Sequence, residues 1–181
     1  MSPAQPSIRD AAPCDAAAIA RLHNALWHET YAVLAPPEVR QAMTEEIRLE
    51  RWRALLGGPG PHAALVAGSG PDLAGFALLG PPTEAIFGGR CEVKHLFVRR
   101  DRQGEGLGRR LMAEAAHRAV HFGFSGLGLG VVDGNDGAIA FYAALGGVRA
   151  GSYIDPGPRW RSRNWLFTWD DLGRLSLSPE R

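Results

Sequence analysis

Apolar positions along this chain follow two rhythms, and the rhythm predicts the elements. In "CDAAAIARLHNALW" the residues Ile19, Leu22 and Leu26 recur at helical spacing. "LAPPEVRQAM" follows, with Pro36 and Pro37 placed to open a short helix. "TEEIRLERWRALLGG" offers Thr44 as N-cap, Ile47, Leu49, Trp52, Leu55 and Leu56 as apolar positions, and Gly57 as a stop. Then the period changes. "HAALVAG" and "DLAGFALLG" are short apolar runs punctuated by glycine and proline, as in a meander of strands, and "CEVKHLFV" is a longer strand. "GRRLMAEAAHRAVHFG" returns to an amphipathic helix. Leu107, Leu111, Ala115 and Ala119 line one face; Arg110, Glu114, His117 and His121 lie largely on another, and Gly123 ends it. "GLGLGVV" sets Leu127, Leu129 and Val131 on one strand face and Gly128 and Gly130 on the other. "NDGAIAFYAALGG" is a second amphipathic helix stopped by Gly146, and "VRAGSYI" and "NWLFTW" are closing strands. With "SIRDAAP" as a first strand, the pattern is that of a mixed α/β layer protein.

Composition narrows this picture. The chain has 181 residues, 45% apolar and 22% charged, which suits one globular domain with a substantial core. We expect that domain over residues 7–170, with tails at 1–6 and 171–181. A net charge of +1 argues against a dedicated nucleic-acid or membrane surface. Cys14 and Cys91 lack metal-ligand spacing, so no metal is expected, and both read as incidental thiols of a reducing compartment. The start "MSPAQPSIRD" does not read as a signal segment, and the cytoplasm is the expected location.

The candidate chemistry begins at "RQGEGLG", where a strand becomes a helix. The first N–H groups of a helix have no partner inside it, and the helix dipole adds partial positive charge there. Glycine removes the Cβ that would keep an anion away, so the turn reads as a cradle for phosphate. Arg109 and Arg110 in the first helical turn, with Arg102 before it, fit such a ligand. A P-loop needs a closing Gly-Lys-Ser/Thr, and a dinucleotide fingerprint needs G-x-G-x-x-G; neither is present. A plain tight turn is the competing reading.

The turn does not stand alone. Gln103, Gly106 and Gly108 are followed by Asn135 and then by Phe141, Tyr142, Leu145 and Gly146 in "NDGAIAFYAALGG". This pair of motifs resembles the GNAT superfamily of acetyl-CoA-dependent N-acetyltransferases, and the resemblance runs from "SIRDAAPCDAAAIARLH" through "SYI". It implies a mostly antiparallel, splayed mixed sheet with helices on both faces. It also implies acetyl-CoA as cosubstrate, its diphosphate held by the backbone of Gln103, Gly104, Glu105, Gly106, Leu107, Gly108 and Arg109. Leu96, Phe97 and Val98 would pair with pantetheine through their main chain, and Asn135 would cap its helix, bond the cofactor, or do both. Gly147 departs from the family, which usually has Phe there, and this predicts a weakened core contact.

The reaction so implied is attack of a neutral amine on a thioester, in which an alkylammonium of pKa roughly 10.4 must lose a proton. The oxyanion needs a donor, for which the Val98 N–H is the candidate, and Tyr142 matches the family tyrosine that protonates the departing thiolate. Glu92 is the candidate base: on a regular strand it shares a face with Val98, and His95 lies on the other. His95 and a relay of waters are its rivals. Trp27 and Tyr31, four apart on one helix, are candidates for a substrate wall, with Glu29 able to attract an ammonium. Arg159, Arg161 and Arg163 would lie on one side of an extended segment, which either recognises a carboxylate or is a solvated edge strand. The expected acceptor is a primary amine of a small molecule or peptide, and pairing into a homodimer is common in the family. A non-catalytic acyl-CoA-binding module and a nucleotide site unrelated to coenzyme A are the alternatives.

Overall fold

The protein was analysed as a computed structural model that describes residues 5–175. The elements run β1 (Ile8–Asp10), α1 (Ala16–Thr30), α2 (Pro37–Ala42), α3 (Glu45–Gly57), β2 (Ala63–Ala67), β3 (Gly75–Gly80) and β4 (Cys91–Val98), then α4 (Leu107–His121), β5 (Leu127–Val132), α5 (Asp136–Ala144), β6 (Val148–Asp155) and β7 (Ser162–Trp169). Local chemistry sets several boundaries. Pro37 occupies the first position of α2, Thr44 Oγ1 accepts from the Ile47 N–H at the start of α3, and Asn135 Oδ1 accepts from the Ala138 N–H at the start of α5. Gly123 and Gly146 follow α4 and α5 with positive φ, as helix-ending glycines do.

The strands form one seven-stranded sheet in the order β1-β2-β3-β4-β5-β7-β6. Every neighbouring pair is antiparallel except β4 and β5. That parallel pair is joined only at Cys91↔Leu127 and Glu92↔Gly128, so beyond Glu92 the strands part and the sheet opens. The expected solvated edge strand at 159–163 is corrected here: β7 lies inside the sheet between β5 and β6, and β6 takes the edge. Arg163 contacts Asp133 at 4.0 Å, and its guanidinium lies 5.2 Å from the centre of the Trp165 ring.

Two apolar layers flank the sheet. On one face, α4 buries Leu111, Met112, Ala115 and Ala119 against Leu65, Ala77, Leu79, Val93 and Leu129. On the other, Ile19 and Ala20 of α1 and Trp52 of α3 cover Val66, Phe76 and Leu78. Removing a side chain as buried as Leu111 typically costs about 2–5 kcal/mol. The first layer extends past residue 170, because Leu172 and Leu175 of a short 3-10 turn are buried within it. The domain therefore includes 171–175, which the sequence assigns to a tail; residues 176–181 and 1–4 lie outside the described residues. Gln5 and Pro6 also attach to the domain, through bonds from Arg110 Nη1 at 3.1 Å.

Gly147 is explained by packing, and the weakened contact expected there is corrected. A Cβ at this position would come within 2.6 Å of the Trp169 ring. Trp169 is buried against Tyr142 and donates to the Leu145 carbonyl at 3.1 Å, so an aromatic from β7 fills this part of the core.

Candidate active site

The turn between β4 and α4 answers the question its glycines raise. Gly104 and Gly106 have φ of +81° and +77°, a conformation that costs other L-residues about 1–2 kcal/mol. A Cβ at either would meet no protein atom within 4 Å. Gly108 is different: it lies inside α4, and a Cβ there would come within 3.0 Å of the Phe141 ring on α5. Two glycines thus shape the loop, and the third brings the two helices together.

The loop amides are unspent. Gln103 N–H bonds to the Arg100 carbonyl and Arg110 N–H to the Gly106 carbonyl, but among the described residues the N–H groups of 104–109 have no protein acceptor. The flanking arginines divide. Arg102 pairs with Glu105 at 2.9 Å and Arg110 with Gln5 and Pro6, whereas Arg109 makes no ion pair among the described residues. Gln103 Nε2 donates to the Val98 carbonyl at 3.2 Å, which ties the loop to the end of β4.

β4 presents its backbone to the opening. Arg99 N–H bonds to the Ala74 carbonyl, and Phe97 sits opposite Phe76 in the same ladder. By the alternation of an antiparallel pair, the N–H groups of Leu96 and Val98 point away from β3, into the gap beside β5. A single cavity of about 1080 Å³ runs through this gap. It is lined by Leu96, Phe97 and Val98, by Gln103, Gly104, Gly106, Leu107, Gly108 and Arg109, and by Asn135 and Tyr142; on the far side it is lined by Trp27, Tyr31 and His95. Glu105 is not part of the lining; its carboxylate faces Arg102.

Glu92, expected as the base, does not line the cavity. The reason is a bulge. Leu79 pairs with Val93 and Leu78 with His95, which leaves Lys94 as an extra residue in β4. The alternation slips there, so Cys91, Val93, Leu96 and Val98 share the α4 layer, while His95 and Phe97 face α1 and α3. Glu92 and Val98 are on opposite faces, not the same one. The Glu92 carboxylate accepts from Thr83 N–H and Oγ1 at 2.8 and 2.9 Å and from Lys94 Nζ at 2.8 Å.

Tyr142 is 8% exposed, packed by Phe141, Phe167 and Trp169. Among the described residues its hydroxyl has no hydrogen-bond partner, and it opens on the cavity. Burial, with a smaller contribution from Tyr31 nearby, raises its pKa well above the ordinary phenol value, so it is a protonated donor at neutral pH. His95 is pushed down to about 4, first by burial and then by Arg48, Lys94 and Arg51, so it is a neutral imidazole.

The far side holds residues that the sequence reading passed over. His23 lies on the stripe of α1 that continues through Trp27 and Tyr31, and its ring centre is 4.6 Å from that of His95. Arg48 and Trp52, one turn apart on α3, both reach it: Arg48 Nη1 lies 2.9 Å from His23 Nε2, and Trp52 Nε1 donates to Nδ1 at 3.2 Å. Burial holds His23 well below the ordinary histidine pKa, with His95, Arg48 and Arg51 adding to the effect. Trp160, from the β6–β7 connection, packs edge-on to Tyr31 at 5.7 Å and Trp27 at 6.5 Å, completing an aromatic wall.

The sequence model of the acetyltransferase (GNAT) family matches residues 19–146, a span that contains the glycine turn, the splayed strands and Tyr142. The chain belongs to the acetyltransferase (GNAT) family. As a GNAT protein it is an acyltransferase, and its relatives extend the likeness over 90–99% of the chain. The uncharacterised N-acetyltransferase YuaI of Bacillus subtilis (strain 168) is 27% identical over 177 residues, covering 97% of this chain and 99% of that one. A GCN5-related N-acetyltransferase structure from Rhodopseudomonas palustris superposes with TM-score 0.71 at 23% identity, covering 93% and 97% of the two chains. YncA of Salmonella typhimurium, solved with acetyl-CoA, gives 0.65 at 22% identity, covering 99% and 98%. PaiA N-acetyltransferase of Thermoplasma acidophilum, in complex with coenzyme A, gives 0.64 at 17% identity, covering 90% and 96%. These likenesses establish the fold: a mixed α/β protein with an open, mostly antiparallel sheet. No helix among the described residues is long and apolar enough to cross a membrane.

Proposed function

We propose that this GNAT protein transfers the acetyl group of acetyl-CoA to a primary amine by direct attack in a ternary complex. One observation carries the reading. The unpaired amides of Gly104, Gly106, Leu107, Gly108 and Arg109 and the unbonded hydroxyl of Tyr142 belong to residues that line the same cavity, on either side of a gap in the sheet. The residues fit the diphosphate of coenzyme A: free N–H donors, a helix N-terminus, an unpaired Arg109, and glycines whose missing Cβ atoms leave room. That YncA and PaiA were solved with acetyl-CoA and coenzyme A supports the same ligand here.

Acetyl-CoA, when bound, supplies an activated acyl group as a thioester. The protein's part is positioning and proton handling. The Leu96 and Val98 N–H groups face the gap, and in this reading the Val98 N–H donates to negative charge growing on a carbonyl oxygen. Tyr142 donates its proton to the sulfur as the C–S bond breaks, for which a phenol kept protonated by burial is suited, and the proton that the nitrogen loses as the C–N bond forms restores the phenol. His95, rather than Glu92, is the hydrogen-bond acceptor for the amine. The burial and the cations that hold His95 neutral also lower the pKa of an ammonium beside it, so the acceptor enters the reaction as the free amine.

The test measures coenzyme A release from acetyl-CoA across an amine panel, with titration calorimetry for acetyl-CoA in parallel. Tyr142→Phe should lower kcat by about 100-fold or more while the acetyl-CoA Kd holds. Equal turnover by Tyr142→Phe and the wild type would remove the tyrosine from the mechanism. Binding of acetyl-CoA with no turnover of any amine would make the protein a sensor instead.

A further inference from the structure

Arg48 is a cation without a counter-ion. It is 4% exposed, and among the described residues no carboxylate lies within ion-pair distance. Its Nε donates to Asn24 Oδ1 at 3.2 Å, and its Nη2 has no partner at all. A buried, unpaired charge is strongly unfavourable, and native proteins normally pair it. The neighbouring imidazole does not relieve it. Trp52 Nε1 can only donate and faces Nδ1 of His23, while Arg48 Nη1 can only donate and faces Nε2. A neutral ring carries one proton, so either tautomer sets two N–H groups face to face. Three side chains thus converge with an excess of donors and too few acceptors, at the wall of the cavity.

We propose that this cluster binds the carboxylate of the acceptor, and that the acceptor is an α-amino acid with an apolar or aromatic side chain. The proposal rests on the acetyl-transfer reading above and names its substrate. The carboxylate accepts from Arg48 Nη2 and from the N–H groups of Arg48 Nη1 and His23 that otherwise face each other, which resolves the donor conflict. The amine lies at His95, whose ring centre is 4.6 Å from that of His23. So short a spacing suits an amine and a carboxylate on one carbon, not the two ends of a long polyamine. The side chain meets the wall of Trp27, Tyr31 and Trp160, which adjoins Arg48: its guanidinium lies 5.2 Å from the Trp27 ring centre. The cofactor diphosphate is not the anion, because its amides belong to α4 on the opposite face of the sheet from α3. Glu29 and Asp155 also line the cavity, and Arg51 beside Arg48 keeps this end cationic.

The experiment compares L-phenylalanine, L-phenylalaninamide and phenethylamine with acetyl-CoA, by coenzyme A release and by tryptophan fluorescence titration of the protein–coenzyme A complex. L-Phenylalanine should be turned over, and the two analogues lacking the carboxylate should fall by about 100-fold or more in kcat/KM. Arg48→Gln should abolish the preference for L-phenylalanine over phenethylamine, bringing the two kcat/KM values within a few-fold of each other, and leave the acetyl-CoA Kd unchanged. Arg48→Lys, which keeps the charge without the two-pronged donor, should raise KM for L-phenylalanine more than it lowers kcat. Phenethylamine or a peptide used as well as L-phenylalanine by the wild type would overturn the proposal while leaving acetyl transfer intact. So would equal losses on both substrates in Arg48→Gln. Failure of the wild type to bind acetyl-CoA would instead sink the underlying function.

Discussion

Gly106 offers a substitution in which strain and charge can be separated. Its φ of +77° lies where Asn and Asp are the least disfavoured replacements, and a Cβ there touches no protein atom within 4 Å. Gly106→Asn and Gly106→Asp should therefore carry a similar backbone cost of about 1–2 kcal/mol. In a domain of this size that lowers Tm by about 2–8 °C in both. They differ in one charge, placed beside the amides proposed to hold a diphosphate. Two like charges about 5 Å apart at an effective dielectric of about 20 repel by about 3 kcal/mol. That is a loss of about 100-fold or more in acetyl-CoA affinity for Asp beyond whatever Asn loses. Titration calorimetry with acetyl-CoA on both variants, with thermal melts, reads the two effects apart. Equal affinities for Asn and Asp would refute the reasoning, because the diphosphate would then not lie against residue 106.

Two further outcomes follow from the packing and the buried imidazoles. His95 titrates near 6.5 when unfolded and about 4 when folded, so the unfolded chain binds more protons between these values. Stability from this group is complete above pH 6.5 and is lost as pH falls toward 4, by about 3 kcal/mol, with His23 adding in the same direction. Melts between pH 7 and 4 should show the fall, and His95→Gln should flatten it; an unchanged slope in that variant would contradict a His95 held neutral. Gly147→Phe, which restores the residue more usual in the family, should destabilise by about 1–3 kcal/mol because Trp169 already occupies the space. A gain in Tm would mean that the Trp169 packing is wrong.

Most of the architecture is legible in the sequence because periodicity and glycine placement agree. The strand Cys91–Val98 falls where "CEVKHLFV" predicts it, and α4 and α5 end at Gly123 and Gly146 as expected. What misleads is local. Glu92 would share a face with Val98 only in a β4 that alternates without interruption, and Lys94 interrupts it. The signal was present: apolar residues at 91, 93, 96 and 98 are spaced two, three and two, which is the mark of a bulge between Val93 and Leu96. Arg48 was passed over because the apolar residues of α3 suggest another inward face. Its burial follows instead from His23, far away in sequence, which no periodicity connects to α3. Its trace is the stripe His23, Trp27 and Tyr31, each four residues apart. The pairing of β7 between β5 and β6 is also non-local, so the last strand could be recognised as a strand but not placed.

The central claim is that bare main-chain amides between Gly104 and Arg109 hold a diphosphate and thereby aim a thioester along β4 toward Tyr142. A crystal structure of the protein with coenzyme A tests it directly. The account predicts phosphate oxygens within hydrogen-bonding distance of those amides, and the thiol end in the gap between β4 and β5. Coenzyme A bound on another surface, with the amides of this turn facing only solvent, would contradict it.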